Sequence, residues 1–223
     1  SGVELATTAD LAHLAPGGRA ENLPAHLLAD ALAAAALACA AGVDAEAVAS
    51  GLRTYSPGAH RIVTVAEAGG VTWVDDSKAT NPHSAEAALT SLPQGTGVWI
   101  CGGDTKGAQF FDLVRTVRPH LRGAVVIGKD QSDILAALEQ EAPGLPVTRI
   151  SHAAPEQVSA AAVEAAGTMA RSGDTVMLAP ACASWDQFTS YAQRGDLFAA
   201  AAKAYAGGGT PETTDASGVQ EKL

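Results

Sequence analysis

The stretch GVWICGGDTKGAQFFDLVRTV, residues 97–117, passes from an unbroken apolar run through a glycine-rich polar turn into a helical pattern. An apolar run of about five residues without polar alternation is the signature of a strand covered on both faces. The same unit recurs along the chain. RIVTVAEA and GVTWV precede a helix expected over 82–91, and GVWIC one over 109–118. GAVVIG leads to a helix over 130–140, PVTRI to 155–170 and DTVMLA to 186–205. Strand and helix in alternation imply an α/β fold, a mostly parallel sheet with helices on both faces. The first two strand runs are separated only by a Gly-Gly pair, so they read as a hairpin and make one edge antiparallel.

The segment before this repeat differs. Residues 1–24 read as strand or loop material broken by APGGRAENLP. Residues 25–41 read as a buried amphipathic helix stopped by Gly42, and DAEAVASGLRTY as a second, shorter one. SPGAH, residues 56–60, is the expected domain boundary. The tail over 207–223 lacks periodicity and is expected to be disordered.

The bulk numbers exclude several classes. The formal charge is −10 across 223 residues, with no basic cluster, which argues against nucleic acid as a partner. The apolar run 27–42 is dominated by alanine and interrupted by Asp30, too weak and short to insert into a membrane. Three scattered cysteines and six histidines without HxxxH or HxH spacing give neither a disulfide framework nor a metal site, and suit a reducing cytoplasm.

Parallel strands share a direction, so the loops that follow them share an edge, where α/β sheets bind ligands. Three of these loops are unusually polar: DDSKATN after VTWV, GGDTKG after GVWIC, and PACAS after TVMLA. Asn81 suits an N-cap and Pro82 the first helical position, which aims free backbone N–H groups at that edge. Lys78, Lys106, Thr80 and Ser184 add two cations and two hydroxyls, a set suited to a small dicarboxylate or a phosphate. Taken singly, the lysines would be read as surface partners of Asp75, Asp76 or Asp104, worth little. GAVVIGKD resembles a phosphate-binding GxxxxGK loop, but Asp130 replaces the required hydroxyl and the middle is a plain strand. Cys101 and Cys182 lack a histidine partner and read as small core residues.

DDSKATNPHSAEAAL, GGDTKGAQF and LAPACASWDQFTSYAQRGDLF together resemble the C-terminal domain of the Mur ligases, specifically of the members that add D-glutamate. The likeness runs from about Pro24 to Tyr205. Ligases adding other residues, and folylpolyglutamate synthases, differ where this chain has DSKATN. The resemblance implies a Rossmann-like domain over 59–206, preceded by a helical remnant of the central ATP-binding domain over 1–58. It implies an ATP-dependent, amide-forming ligase of peptidoglycan biosynthesis. The carboxylate of UDP-N-acetylmuramoyl-L-alanine is activated as an acyl phosphate, which the amine of D-glutamate attacks. The implied D-glutamate residues are Thr80, Lys106, Ser184, Trp185 and Tyr191, with Lys106 and Arg61 catalytic. The implied nucleotide residues are His60, Arg61, Asp76, Lys78 and Asp30. His26 is retained in the family's helix, whereas Leu27 and Asp30 stand at asparagine positions, Asp75 where asparagine is common and Tyr191 where phenylalanine is expected. The family's phosphate-binding loop and Mg2+ ligands are expected outside this chain, which is therefore expected to be a fragment, inactive alone, monomeric and cytoplasmic. The reading from another class is a non-catalytic α/β module that binds a small anion; a related ligase with another amino-acid substrate is the third.

Overall fold

The computed structural model describes residues 3–208. Residues 3–24 form three single 3-10 turns, Ala12–Leu14, Pro16–Gly18 and Ala20–Asn22, and no strand. Two helices follow, α1 (Ala25–Ala40) and α2 (Ala45–Thr54), the second capped by the Asp44 carboxylate, which accepts from the Glu46 N–H at 2.8 Å. The expectation that α1 is buried is corrected. Only its Ala35 is buried, and Leu32 and Leu37 are 64% and 73% exposed. An alanine-rich helix is apolar all round, but α2 and the turns cover a single flank of it.

Beyond residue 60 the repeat reads β1 (Val63–Ala68), β2 (Val71–Asp75), α3 (Pro82–Leu89), β3 (Gly97–Gly102), α4 (Phe111–Val117), β4 (Leu121–Ile127), α5 (Ser132–Glu141), β5 (Val147–Arg149), α6 (Pro155–Met169), β6 (Thr175–Leu178) and α7 (Tyr191–Ala206). One six-stranded sheet results, in the order β1-β2-β6-β3-β4-β5. β1 and β2 pair antiparallel around the Gly69–Gly70 turn, and every other pair is parallel. The expected helix over 186–205 starts later, at Tyr191. The side chains of Asp186 and Gln187 are engaged with loop amides, and Ser190 is the cap, accepting from the Gln193 N–H at 3.0 Å. The expected tail falls, from residue 209 on, outside the described residues.

Strand β3 shows why the apolar runs do not alternate. Trp99 and Cys101 face α3, α4 and α5, where they meet Leu89, Val114 and Ile134. Val98 and Ile100 face α6 and α7, where they meet Val158, Val163 and Phe198. Both faces are covered, so both parities are apolar. The order of the connections, not the strand direction, reverses between the parallel neighbours β3 and β6, whose following helices lie on opposite faces. This is the switch point at which such sheets open a crevice. Among the described residues, no helix is long and apolar enough to cross a membrane.

Trp99 is fully buried, and its indole N–H donates to the Ala179 carbonyl at 2.7 Å, fixing the exit of β6. Trp99→Ala should cost about 3–5 kcal/mol, through cavity formation and the orphaned carbonyl, read as a lowered urea midpoint.

Candidate active site

Past the carboxyl ends of β2, β3 and β6 the backbone remains paired. The Ala181 N–H donates to the Ala79 carbonyl at 2.9 Å. Asp104 and Ala183 exchange both N–H···O bonds, at 3.0 and 2.9 Å. Thr80, Lys106 and Ser184 sit one or two residues from these bonds, so the three polar loops adjoin on one edge as the strand directions require. Gly103 makes this approach possible. It sits at φ +133°, and a Cβ there would lie 2.2 Å from the Ala183 carbonyl oxygen. Ser184 is buried, Lys106 is exposed at φ +50°, and Trp185 is 71% exposed. Among the described residues neither Lys78 nor Lys106 has a carboxylate within 4 Å, so the surface ion pairs considered for them do not form. Lys78 instead holds its Nζ 5.1 Å from the centre of the Tyr191 ring.

A second feature lies beside these loops. A cavity of about 490 Å³ is lined by Asp30, Tyr55, Arg61, Asp76, Lys78 and His83, drawn from both sides of the SPGAH segment. Four of the five residues assigned to a nucleotide therefore share one cleft. The fifth, His60, is not in its lining. Its Nδ1 is 2.7 Å from the Asp75 carboxylate, and its ring stands edge-on to Tyr191. Gly195 in α7 allows this, because a Cβ there would meet His60 Nδ1 at 2.2 Å.

Burial pushes the Asp76 carboxyl up to about 8; Asp75 adds to the rise, and the Ile62 N–H and Arg61 oppose it. Burial also raises Asp75, against the pull of His60. The thiols behave as core groups: burial raises Cys101 and pushes Cys182 up to about 12. Among the described residues no three His, Cys, Asp or Glu side chains cluster to hold a metal.

Residues outside the sequence-based set hold these loops. Arg194, 1% exposed, donates from Nε to Ser77 Oγ at 3.0 Å and from Nη2 to the carbonyls of Ser77 and Cys182 at 2.9 and 3.1 Å. Gln187 accepts from the Gly128 N–H at 2.8 Å and donates to the His152 carbonyl at 3.2 Å, and Asp186 accepts from the Lys129 N–H at 2.9 Å.

Comparison with known proteins bears on the same segments. The family model for the Mur ligase glutamate ligase domain matches residues 60–182, more than half of the chain. The chain belongs to the Mur ligase family. It is 50% identical over 208 residues to the UDP-N-acetylmuramoylalanine–D-glutamate ligase of Bifidobacterium longum subsp. infantis, covering 91% of this chain and 43% of the relative. It is 52% identical over 182 residues to the ligase of that name from Frankia casuarinae, covering 82% and 37%. The Streptomyces avermitilis ligase is 50% identical over 200 residues, covering 90% and 40%. This Mur ligase chain thus spans about two-fifths of the length of the curated relatives it matches.

The folded chain keeps a proton on Asp76 that the unfolded chain releases near pH 4. Its stability therefore falls as pH rises from about 4 to about 8 and then levels off. Asp76→Asn keeps an acceptor for the Ile62 N–H and does not titrate. Its melting temperature should gain on the unsubstituted protein across that window, by more than about 1 kcal/mol of stability at pH 8 relative to pH 4. A constant offset at all pH values would contradict the assignment.

Proposed function

We propose that this chain is the C-terminal part of an ATP-dependent ligase that joins D-glutamate to UDP-N-acetylmuramoyl-L-alanine in peptidoglycan biosynthesis, acting as a cytoplasmic monomer. Residues 1–58 then belong to the ATP-binding domain and 59–206 to the domain that receives D-glutamate. The observation that carries the reading is the backbone pairing of the β2, β3 and β6 loops, which sets Thr80, Lys106 and Ser184 on one rim. The supporting likeness is the 208 residues matched at 50% identity by a D-glutamate ligase.

The chemistry follows from charge and orientation. D-glutamate has two carboxylates and one amine that must reach an acyl carbon. Lys106 would supply a cation for one carboxylate and Thr80 and Ser184 hydroxyl donors, with Trp185 and Tyr191 as further contacts, the Tyr191 ring lying against Lys78. Fixing both carboxylates leaves the amine a single approach, which replaces a costly orientation in solution. The cleft of about 490 Å³ is large enough for part of a nucleotide. There Asp76 would accept from ribose hydroxyls, with Asp30 opposite it, and Lys78 would face the phosphates. Arg61 would offset charge building on the transferred phosphoryl group. His60, held by Asp75, would orient the Arg61 segment rather than touch the nucleotide.

In the full-length ligase, Lys106→Ala should raise KM for D-glutamate about tenfold or more while KM for ATP stays within about twofold. Steady-state phosphate release, with each substrate varied in turn, measures both. Equal changes in the two constants would remove Lys106 from the amino-acid site and favour a non-catalytic anion-binding reading of this edge.

A further inference from the structure

Arg194 is a buried guanidinium with no carboxylate within 4 Å among the described residues, and its Nη1 has no hydrogen-bond partner there. An uncompensated buried cation is costly, so its retention has to be balanced by what it holds. It bonds two loops of the candidate site to each other and lies against the third. Nε and Nη2 grip Ser77, three residues before Thr80. Nη2 also grips the Cys182 carbonyl, two residues before Ser184. Nη1 lies 3.3 Å from where a Gly103 Cβ would stand, three residues before Lys106. Ser77 completes the pin by donating its hydroxyl to the Tyr191 carbonyl at 2.8 Å.

We propose that Arg194 is a positioning residue for amino-acid binding. By clamping Ser77 to Cys182 over Gly103, it sets the spacing between Thr80, Lys106 and Ser184 and thereby the fit of a dicarboxylate. The inference rests on the D-glutamate reading given above. It does not extend to the nucleotide cleft, because Asp76 and Lys78 have separate anchors. The Asp76 N–H donates to the Leu178 carbonyl at 2.9 Å and the Lys78 N–H to the His60 carbonyl at 3.1 Å.

The test is kinetic, on the full-length ligase. Arg194→Lys keeps the charge but cannot reproduce the planar fork. Ser77→Ala removes one anchor and fits the space of serine, so it keeps the test valid if Arg194→Lys does not fold. Displacement of a binding group by about 1 Å costs on the order of 10²-fold. Both variants should therefore raise KM for D-glutamate by about tenfold to a hundredfold, with KM for ATP within about twofold, Arg194→Lys being the more severe. An unchanged D-glutamate KM in a folded variant, or equal rises for D-glutamate and ATP, would overturn the proposal. Lys106→Ala in parallel separates the two failures. If it alone raises the D-glutamate constant, the clamp is wrong and the D-glutamate site stands; if it does not raise it, the site reading falls and the clamp proposal with it.

Discussion

Loops at the carboxyl edge of a parallel sheet face a backbone problem. The ladder ends, yet the N–H and C=O groups beyond it remain partly buried and need partners. Here the loops satisfy one another. The Asp76 N–H bonds to Leu178, Gly102 to Pro180, Ala181 to Ala79, and Asp104 and Ala183 to each other. The segment after β6 thus acts as a continuation of the ladder between two loops that would otherwise move independently. Side chains carried on such loops inherit the rigidity of the sheet, which the proposed orientation of a small flexible dicarboxylate would require. Glycine at 103 and the left-handed Ala181 at φ +60° are the local conformational cost of this close approach.

Electrostatics at the same edge runs against the composition. The chain is acidic overall, yet Arg61, Lys78, Lys106 and Arg194 are gathered there. The two adjacent acids of DDSK are muted. Asp75 is engaged by His60 and the Ser77 N–H, and burial pushes Asp76 up to about 8. Near neutral pH a protonated Asp76 presents a hydroxyl and a carbonyl, not a full negative charge, to whatever occupies the cleft. A polyphosphate entering beside Arg61 and Lys78 would therefore meet less repulsion than the sequence DDSK implies.

The sheet was legible because its signals are local. Short apolar runs, glycine turns and helical repeats each span a few residues, and strand direction alone put Thr80, Lys106 and Ser184 on one edge. The start of α7 was misplaced because Asp186 and Gln187 form their hydrogen bonds with residues more than thirty positions away, which no window registers. Arg194 was missed for the same reason, since its partner Ser77 lies 117 residues upstream. A local signal did exist: Arg194 falls on one helical stripe with Phe198 and Ala202, both buried. A cation on an apolar stripe marks either a misjudged face or a buried polar duty, and here it is the second. The burial of α1 failed for a different reason, because composition reports that a helix is apolar without reporting what covers it.

Where the chain could bend follows from how the connecting segment is tied down. Residues from His60 onward are fastened to the sheet: His60 through Asp75 and through its carbonyl to Lys78, and Ile62 through its N–H to Asp76. His60 and Ile62 hold positive φ angles of 64° and 52°, conformations that persist only when surrounding bonds impose them. On the other side, Tyr55 is held by its N–H to Gly51 and its carbonyl to His13. Between them, among the described residues, none of the backbone N–H groups of residues 56–59 donates a hydrogen bond. Rotation of one wall of the cleft against the other would bend the chain at those four residues and would also have to break the bond from the Gly17 N–H to Thr64 Oγ1, at 3.1 Å, which ties the N-terminal segment to β1. Arg61, just beyond the pivot, would keep its place relative to Asp76, while Asp30 and Tyr55 would travel. A nucleotide bridging both walls would draw them together without disturbing the loops proposed to orient the amino acid.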